Sequence, residues 1–292
     1  MEKKKFTKVD FLIYAIAILL IVIVIYPLWF VVIASFSNPN DVANGHVWLI
    51  PKSVTLAGYQ KLFEQSIIWK SYINTIFYTV AGTAFALLVN IPAGYVLTRK
   101  DLVGRKILMW FVVIPMFISG GLIPTYFVVK NMGLIDTIWV MIVPFSVSSF
   151  NIIVARTFFT NSIPEGLWEA AQLDGCGSIR YFVKIIIPLS KAILAVIGLW
   201  TAVGIWNSWF NAMIYINKEN LQPLQLVLRR VLIQNQILME NTQTGSLAGE
   251  LRQLADMMKY AAIIVSTLPI MMLYPFLQKY FNQGVMIGAI KE

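Results

Sequence analysis

The sequence predicts an all-α membrane protein with six transmembrane helices, and two observations support this fold class. Of the 292 residues, 58% are hydrophobic and 13% are charged, whereas ordinary soluble domains are about 45–50% apolar and about 25% charged. Six apolar runs are each long enough to cross a bilayer, which takes about 20 mostly apolar residues. These runs are residues 11–33, 72–98, 107–129, 137–155, 192–214 and 260–277.

The first run follows a basic tail, a pattern that secretory signal peptides share. The run is longer than the apolar part of a signal peptide, and residues 35–40 lack a clear small-x-small cleavage site. We therefore predict a retained first helix. Prolines within several runs predict kinked helices that rock around a pathway, although a kink is also an ordinary irregularity of a membrane bundle.

The distribution of basic residues predicts that both termini are cytoplasmic, because Lys and Arg concentrate in cytoplasmic loops. Six spans place the two termini on the same side. The basic residues lie in the N-terminal tail, in two alternate loops and in the C-terminal tail: Lys3, Lys4, Lys5 and Lys8; Arg99, Lys100, Arg105 and Lys106; Arg156, Arg180, Lys184 and Lys191; Lys279 and Lys291.

Two long segments, 35–70 and 217–259, are then predicted to lie outside the cell. Within the second, residues 221–238 predict a helix at the membrane surface. We find no internal repeat and no low-complexity linker. The sequence thus predicts a single transmembrane domain, 1–292, with the N-terminal tail and first span at 1–33, the core spans at 71–280 and a cytoplasmic tail at 281–292.

Missing residue types limit the mechanism. No Asp, Glu, Lys, Arg or His lies inside any of the six runs, and such residues mark proton relays in membranes. A proton-driven carrier is therefore disfavoured, and without a G-x-x-x-x-G-K-[ST] loop an ATP-driven role needs a partner chain. With one cysteine, Cys176, and one histidine, His46, we expect no metal site. Basic residues between apolar runs favour membrane topology over nucleic-acid binding.

The predicted cytoplasmic 161–188 segment carries most of the functional information. Its first short helix is predicted to begin with a capping box at Ser162 and Glu165. The pair Asp174–Gly175 should end this helix near Leu173, because glycine adopts the left-handed conformation at little cost.

A second short helix is predicted from about Ser178 to just before Pro188. The first helix carries a small apolar ridge that suits docking, since alanine allows another helix or a groove to approach closely. A re-entrant loop that packs on its own bundle is the alternative. The ridge consists of Leu167, Ala170, Ala171 and Leu173.

The 161–188 segment resembles the EAA loop of the permeases of binding-protein-dependent ABC importers, whose pattern is EAA-x3-G-x9-I-x-L-P. Ile187 stands where leucine is usual, and Asp174 before the glycine fits the sugar-importer version. The matching residues are Glu169, Ala170, Ala171, Gly175, Ile185 and Pro188. The chain is also similar to carbohydrate importers at residues 95–99, 133–137 and 284–291.

The resemblance implies a type I ABC importer permease fold and, within the oligosaccharide class, the second permease subunit of a maltose-type heterodimer. It implies a homologous second permease subunit, two ATP-binding subunits that hold ATP and Mg, an extracytoplasmic solute-binding protein, and a bacterial cytoplasmic membrane. This chain would be a non-catalytic transport subunit without a cofactor of its own.

The resemblance also implies roles for three groups of residues. The coupling residues would enter a cleft of an ATPase subunit, with Glu169 as the polar anchor, Ala170 and Ala171 in close packing, Asp174 and Gly175 at the turn, and Pro188 closing the motif. Gly284, Gly288 and Lys291 would insert between the ATPases, unless the tail is frayed. Gly245, Ser246 and Gly249 would reach into the binding protein, unless the loop is disordered.

Candidates for the substrate path are aromatic and amide side chains, because aromatic faces stack on sugars and amides bind hydroxyls. Trp is also common at membrane interfaces, and Asn also bridges helices. The candidates are Trp206, Asn207, Trp209, Asn211, Asn90 and Asn151. A permease for another solute, a stand-alone channel and a membrane enzyme remain alternatives, although clustered acid, base or metal ligands are missing for the last.

Overall fold

In a computed structural model, the described residues are 8–241, 255–256, 258–272 and 275, and most of them are helical. Those of one compact unit lie in 8–68 and 228–268, and those of a second lie mainly in 69–227. The helices are α1 (Lys8–Ser35), α2 (Pro39–Ala43), α3 (Ala57–Glu64), α4 (Ser66–Val96), α5 (Arg105–Phe117), α6 (Leu122–Asn131), α7 (Trp139–Ile142), α8 (Ser149–Ser162), α9 (Glu165–Leu173), α10 (Ser178–Tyr181), α11 (Ile187–Leu189), α12 (Lys191–Trp206), α13 (Trp209–Tyr215), α14 (Leu224–Asn241) and α15 (Met258–Met272).

Among the described residues, two helices, α1 and α4, are long and apolar enough to cross a membrane. At 28 and 31 residues they measure about 42 and about 46 Å, since an α-helix rises 1.5 Å per residue. Each continues through a proline, Pro27 or Pro92. A third span results if Ser178–Leu189 and Lys191–Trp206, which meet at 80°, count as one.

Within the part of the chain that the structure describes, three of the predicted apolar runs are broken rather than continuous helices. Run 107–129 forms α5 and α6 around residues 118–121, where Gly121 has a φ of +81°. Run 137–155 forms α7 and α8 around a stretch that contains Pro144, and run 192–214 is interrupted at residues 207–208. Proline and left-handed glycine interrupt the helical hydrogen bonds. The number of spans and the orientation of the termini stay predictions, as does the single transmembrane domain.

Among the described residues of the second unit, two apolar clusters share α4. The Tyr78 cluster comprises Tyr78, Val129, Val140, Met141, Ile142, Ile205, Ala212, Tyr215, Ile216 and Leu226. The Tyr95 cluster comprises Ile91, Tyr95, Ala155, Phe159, Ala171, Tyr181, Ile186, Ile193 and Ile197. Ala171 and Tyr181 of the 161–188 segment belong to the Tyr95 cluster, to which α4, α8 and α12 also contribute. The segment therefore packs on α4 and on helices of two of the broken runs.

Asn90 of α4 braces the break before α8. Its side chain is fully buried, and its Nδ2 donates to the Ser146 carbonyl at 2.9 Å while its Oδ1 accepts from the Ser148 N–H at 3.1 Å. Irregular backbone at membrane depth needs such partners, because lipid offers none. Asn90 therefore stabilises the irregular backbone between α7 and α8.

Asp136 ties the segment before α7 to the segment after α13. Its backbone is left-handed, with a φ of +56°, and its carboxylate accepts hydrogen bonds from the backbone N–H groups of Asn217 and Lys218. These hydrogen bonds hold the pKa of Asp136 below its ordinary value. The bond from Lys218 has the largest effect, and the bond from Asn217 has the next largest.

We expect Asp136→Gly to lower the Tm of the chain more than Asp136→Asn does. Glycine keeps the left-handed backbone conformation but removes the hydrogen-bond acceptor. Asparagine keeps an acceptor oxygen and also tolerates the left-handed conformation. Since the folded pKa is lowered, the carboxylate's stabilisation is present above its unfolded pKa of 3.8 and is lost as the pH falls through the lower folded value. Thermal unfolding in detergent from pH 7 down to about pH 2, well below the unfolded pKa, measures both effects. Equal Tm values for the two variants would mean that the hydrogen bonds from Asn217 and Lys218 to Asp136 do not stabilise the chain.

Candidate functional site

Helix α9 is the first short helix of the 161–188 segment, and its C-terminal end agrees with the sequence prediction. Gly175 has a φ of +70°, its N–H donates to the Gln172 carbonyl at 3.0 Å, and the Cys176 N–H donates to the Ala171 carbonyl at 2.9 Å. This pair of bonds is a Schellman motif, which satisfies carbonyls that the helix end leaves free. The predicted stop at Asp174–Gly175 is confirmed.

The prediction that Ser162 caps the start of α9 is wrong. Ser162 is the last residue of α8, and Pro164 precedes α9 without a side-chain cap. A two-residue link between helices leaves no room for Ser162 to cap the next one. Glu165 instead lies in the first turn, where a carboxylate interacts favourably with the helix dipole.

The second helix starts at Ser178 as predicted but does not end before Pro188. A wide π-helical turn over Phe182–Ile186 leads into Ile187–Leu189, which carries the chain past a proline that lacks the usual N–H donor. The Ser190 hydroxyl donates to the Ile186 carbonyl at 2.6 Å. The chain then bends by 80° into α12.

Helix α9 has one face packed inside the protein and one face open. Ala171, only 6% exposed, belongs to the Tyr95 cluster, and Leu167 packs against that cluster. Glu169 and Ala170 are exposed, and Leu173 is 90% exposed. The predicted apolar ridge is therefore divided, with half of it seating the helix and half facing outward.

Trp168 fastens α9 to the end of α4. The Arg99 guanidinium lies 4.0 Å from the centre of the Trp168 ring, and the Tyr181 ring lies 4.9 Å away on centroids. Arg99 Nε and Nη2 donate to the two carboxylate oxygens of Asp101 at 3.1 and 3.0 Å. These hydrogen bonds lower the pKa of Asp101. The Arg99–Trp168 contact thus makes α9 and the end of α4 one packed element.

An exposed ion pair adds a second link between the same elements. Lys100 Nζ lies 2.7 Å from a carboxylate oxygen of Glu165. Because both side chains are well exposed, such a pair contributes only about 0–1 kcal/mol. A cavity of about 360 Å³ opens beside this contact, and its lining includes Arg99, Glu169 and Gln172.

A second cavity of about 410 Å³, the Trp200 cavity, collects two of the predicted substrate residues, Asn151 and Asn211. Phe150 and Trp200 line it with ring centroids 5.6 Å apart. The full lining is Met141, Phe145, Ser146, Phe150, Asn151, Trp200, Thr201, Gly204, Ile205, Ser208 and Asn211. It combines aromatic faces with neutral hydrogen-bonding groups.

Two hydroxyls of the Trp200 cavity are buried without a partner. Ser146 Oγ and Thr201 Oγ1 make no hydrogen bond within the part of the chain that the structure describes. Leaving a buried polar group unpaired costs about 1–3 kcal/mol. Both residues line the cavity, so these hydroxyls are candidate partners for a ligand that carries hydroxyls.

The remaining substrate candidates lie elsewhere. The polar ends of the Asn90 side chain are bonded to backbone, Trp206 is buried against Tyr72 with ring centroids 6.0 Å apart, and the Asn207 amide donates to the Val203 carbonyl. Trp209 packs on the Tyr78 cluster. None of these four is part of the cavity lining.

The sequence prediction missed Phe150, Trp200 and Thr201. A periodic signal was available, because Trp200, Thr201, Gly204, Ile205, Ser208 and Asn211 recur at spacings that place them on one side of a helix. The break after Trp206 hides this stripe. The predicted tail residues Gly284, Gly288 and Lys291 and the predicted loop residues Gly245, Ser246 and Gly249 lie outside the described residues.

Comparison with known proteins assigns the family. A family model described as "Binding-protein-dependent transport system inner membrane component" matches residues 90–287. The Bacillus subtilis polygalacturonan/rhamnogalacturonan transport system permease protein YtcP is 38% identical over 97% of this chain and 98% of its own length. Protein LplC of the same organism is 40% identical over 92% of this chain and 90% of its own.

A solved structure has the same fold. It is a crystal structure of a bacterial ABC transporter involved in the import of the acidic polysaccharide alginate, and its matching chain is 29% identical, with a TM-score of 0.84, over 96% of this chain and 100% of that one. The family match covers more than half of this chain and includes the 161–188 segment. The chain belongs to the family of inner membrane components of binding-protein-dependent transport systems.

Proposed function

We propose that this chain is a transmembrane permease subunit of an ATP-driven oligosaccharide importer in a bacterial cytoplasmic membrane. It would form the translocation path with a second, homologous permease subunit, with six spans and both termini in the cytoplasm. Two ATPase subunits would bind ATP and Mg, and an extracytoplasmic binding protein would deliver the sugar. The observation that carries the proposal is the outward face of α9, which presents Glu169, Ala170 and Leu173 from a firmly seated helix.

The coupling step would begin at that outward face. An ATPase cleft that accepts α9 meets one carboxylate and a small apolar surface, so closure of the ATPases pushes on α9 as a rigid peg. The Arg99–Trp168 contact and the burial of Ala171 transmit the push to α4 and to the Tyr95 cluster. Packed elements move as units because a close-packed interior resists deformation.

The chain itself provides a second route by which movement of the ATPases would reach the Trp200 cavity. The helix that begins at Ser178 continues through the π turn to Leu189 and bends at Ser190 into α12. Helix α12 carries Trp200 and Thr201 of the Trp200 cavity. Rotation of the 178–189 helix would therefore re-orient the cavity wall directly.

The Trp200 cavity suits a sugar on chemical grounds. Rings of Phe150 and Trp200 offer faces for the apolar side of a pyranose, and the amides of Asn151 and Asn211 offer donors and acceptors for hydroxyls. The unpaired hydroxyls of Ser146 and Thr201 favour a hydroxylated ligand. The names of YtcP and of the alginate importer make uronate-containing oligosaccharides the first substrates to test.

Charge reversal at Glu169 tests the coupling role. We expect Glu169→Lys to lower uptake by the assembled transporter about tenfold or more. Like charges that face each other across an interface cost several kcal/mol, and each 1.4 kcal/mol changes an equilibrium constant tenfold. The substrate should no longer stimulate ATP hydrolysis, although the chain still inserts into the membrane. Uptake and ATPase activity of the same proteoliposomes are the measurement.

Glu165→Gln is the matched control, because Glu165 is an exposed carboxylate on the same helix that is engaged with Lys100. Its loss removes a surface ion pair worth about 0–1 kcal/mol, so uptake should stay close to wild type. Normal coupling in Glu169→Lys, or equal losses in both variants, would contradict the assignment of Glu169.

A further inference from the structure

An apolar loop tip between α2 and α3 has no role in the proposed transport cycle. The apolar tip consists of Trp48, Leu49 and Ile50, which are 69%, 64% and 74% exposed, while the preceding Val47 is buried. Val54 and Leu56 nearby are also exposed. Large exposed apolar side chains in a row mark a surface that meets something other than water.

Hydrogen bonds hold the loop behind the tip firmly against the end of α1. The loop therefore projects its tip from a fixed base instead of collapsing over the apolar side chains. The bonds run from the Asn38 N–H to the Lys52 carbonyl (3.2 Å), from the Lys52 N–H to Ser37 Oγ (3.2 Å), from the Thr55 N–H to the Phe36 carbonyl (2.9 Å) and from the Tyr59 hydroxyl to Ser35 Oγ (2.8 Å).

The position of the apolar tip relative to the membrane follows from its hydrogen bond to α1. The indole Nε1–H of Trp29 donates to the Leu49 carbonyl at 3.0 Å. From Lys8 to Trp29 the helix rises about 32 Å at 1.5 Å per residue, which is about the 30 Å thickness of the hydrocarbon core. Side chains of α1 are exposed from Phe11 to Trp29 and become buried from Ile33. Trp29, and with it the apolar tip, therefore lies where the hydrocarbon core ends.

We propose that Trp48, Leu49 and Ile50 form an interfacial anchor that dips into the phospholipid leaflet at the far end of α1. The tip continues the exposed apolar surface of α1 at the depth where aromatic side chains prefer the membrane interface. The Trp48 Nε1–H donates to the Gly45 carbonyl at 2.6 Å, so its ring enters lipid without an unpaired donor. Exposed Lys52 lies beside the tip, as a lysine that reaches lipid phosphates would.

Site-specific photocrosslinking in the assembled transporter tests the anchor. Benzoylphenylalanine is placed at Ile50 and, as a control, at Gln60, an exposed polar residue of α3 next to the exposed Lys61–Glu64 ion pair. After illumination of native membranes, mass spectrometry of the purified chain detects phospholipid adducts. We expect about tenfold more phospholipid adduct at position 50 than at position 60, the ratio that a lipid preference of about 1.4 kcal/mol gives.

Two results would overturn the proposal. Equal or lower phospholipid adduct at position 50 would mean that the tip lies in water. A protein adduct at position 50 would mean that a partner subunit, rather than lipid, covers the tip. Neither readout depends on transport, so failure of the anchor and failure of the proposed function are separable.

Discussion

Gly175→Pro is expected to abolish uptake by the assembled transporter while the chain remains in the membrane. Gly175 has a φ of +70°, whereas proline requires a φ near −65° and has no N–H. The bond from Gly175 to the Gln172 carbonyl is lost, and the turn that separates α9 from the next helix cannot form. Gly175→Ala keeps the N–H but strains the left-handed backbone by about 1–2 kcal/mol, so we expect a several-fold loss.

Gly177→Ala is the matched control for Gly175→Ala. Gly177 lies two residues further on with a φ of −71°, and a Cβ there meets nothing within 4 Å. Uptake and membrane abundance of both variants are measured side by side, together with Gly175→Asn, which tolerates the left-handed region and should recover part of the activity. If alanine at 175 were as harmless as alanine at 177, the turn would not matter for coupling.

Gly94→Val is expected to have the largest effect on folding, because Gly94 is where α4 touches α8. A Cβ at Gly94 would lie 2.6 Å from the Ala155 Cβ and 3.0 Å from the Arg156 nitrogen and the Ile152 carbonyl oxygen. Two of these atoms are backbone, which cannot move aside as a flexible side chain can. Close packing through small residues drives helix association in membranes, and overpacking typically costs about 1–3 kcal/mol or more.

The measurement for Gly94→Val is the folded yield and Tm of the chain in mild detergent. Gly198→Ala is the control, since its new Cβ would meet only side-chain atoms at 3.7 and 3.9 Å, an ordinary contact distance. We expect wild-type behaviour from Gly198→Ala and a strongly reduced folded yield from Gly94→Val. A folded Gly94→Val with an unchanged Tm would mean that α4 and α8 do not meet as described.

Local chemistry made some features predictable from the sequence alone. The long apolar run of α1 predicts one continuous helix, and Gly175 stops α9 through its own backbone freedom. The composition and the EAA pattern predict the family to which the chain belongs. These signals are encoded within a few residues of where they act.

Features that depend on distant contacts were not predictable. Ser162 has capping-box spacing, yet α8 extends through it because Phe159 packs in the Tyr95 cluster. Nothing near Asn90 in the sequence indicates that it bonds backbone groups 56 and 58 residues away. The Trp200 cavity likewise exists only because the break at residues 143–148 lies beside α12.

The central claim is that this chain carries an oligosaccharide through ATP-driven coupling. Its most direct test is substrate-stimulated ATP hydrolysis and uptake by proteoliposomes that contain this chain, the second permease subunit, the ATPases and the binding protein. The proposed function predicts that uronate-containing oligosaccharides stimulate ATP hydrolysis and accumulate in the vesicles, and that peptides and amino acids do neither. Stimulation by peptides or amino acids alone, or uptake by this chain without the ATPases, would contradict it.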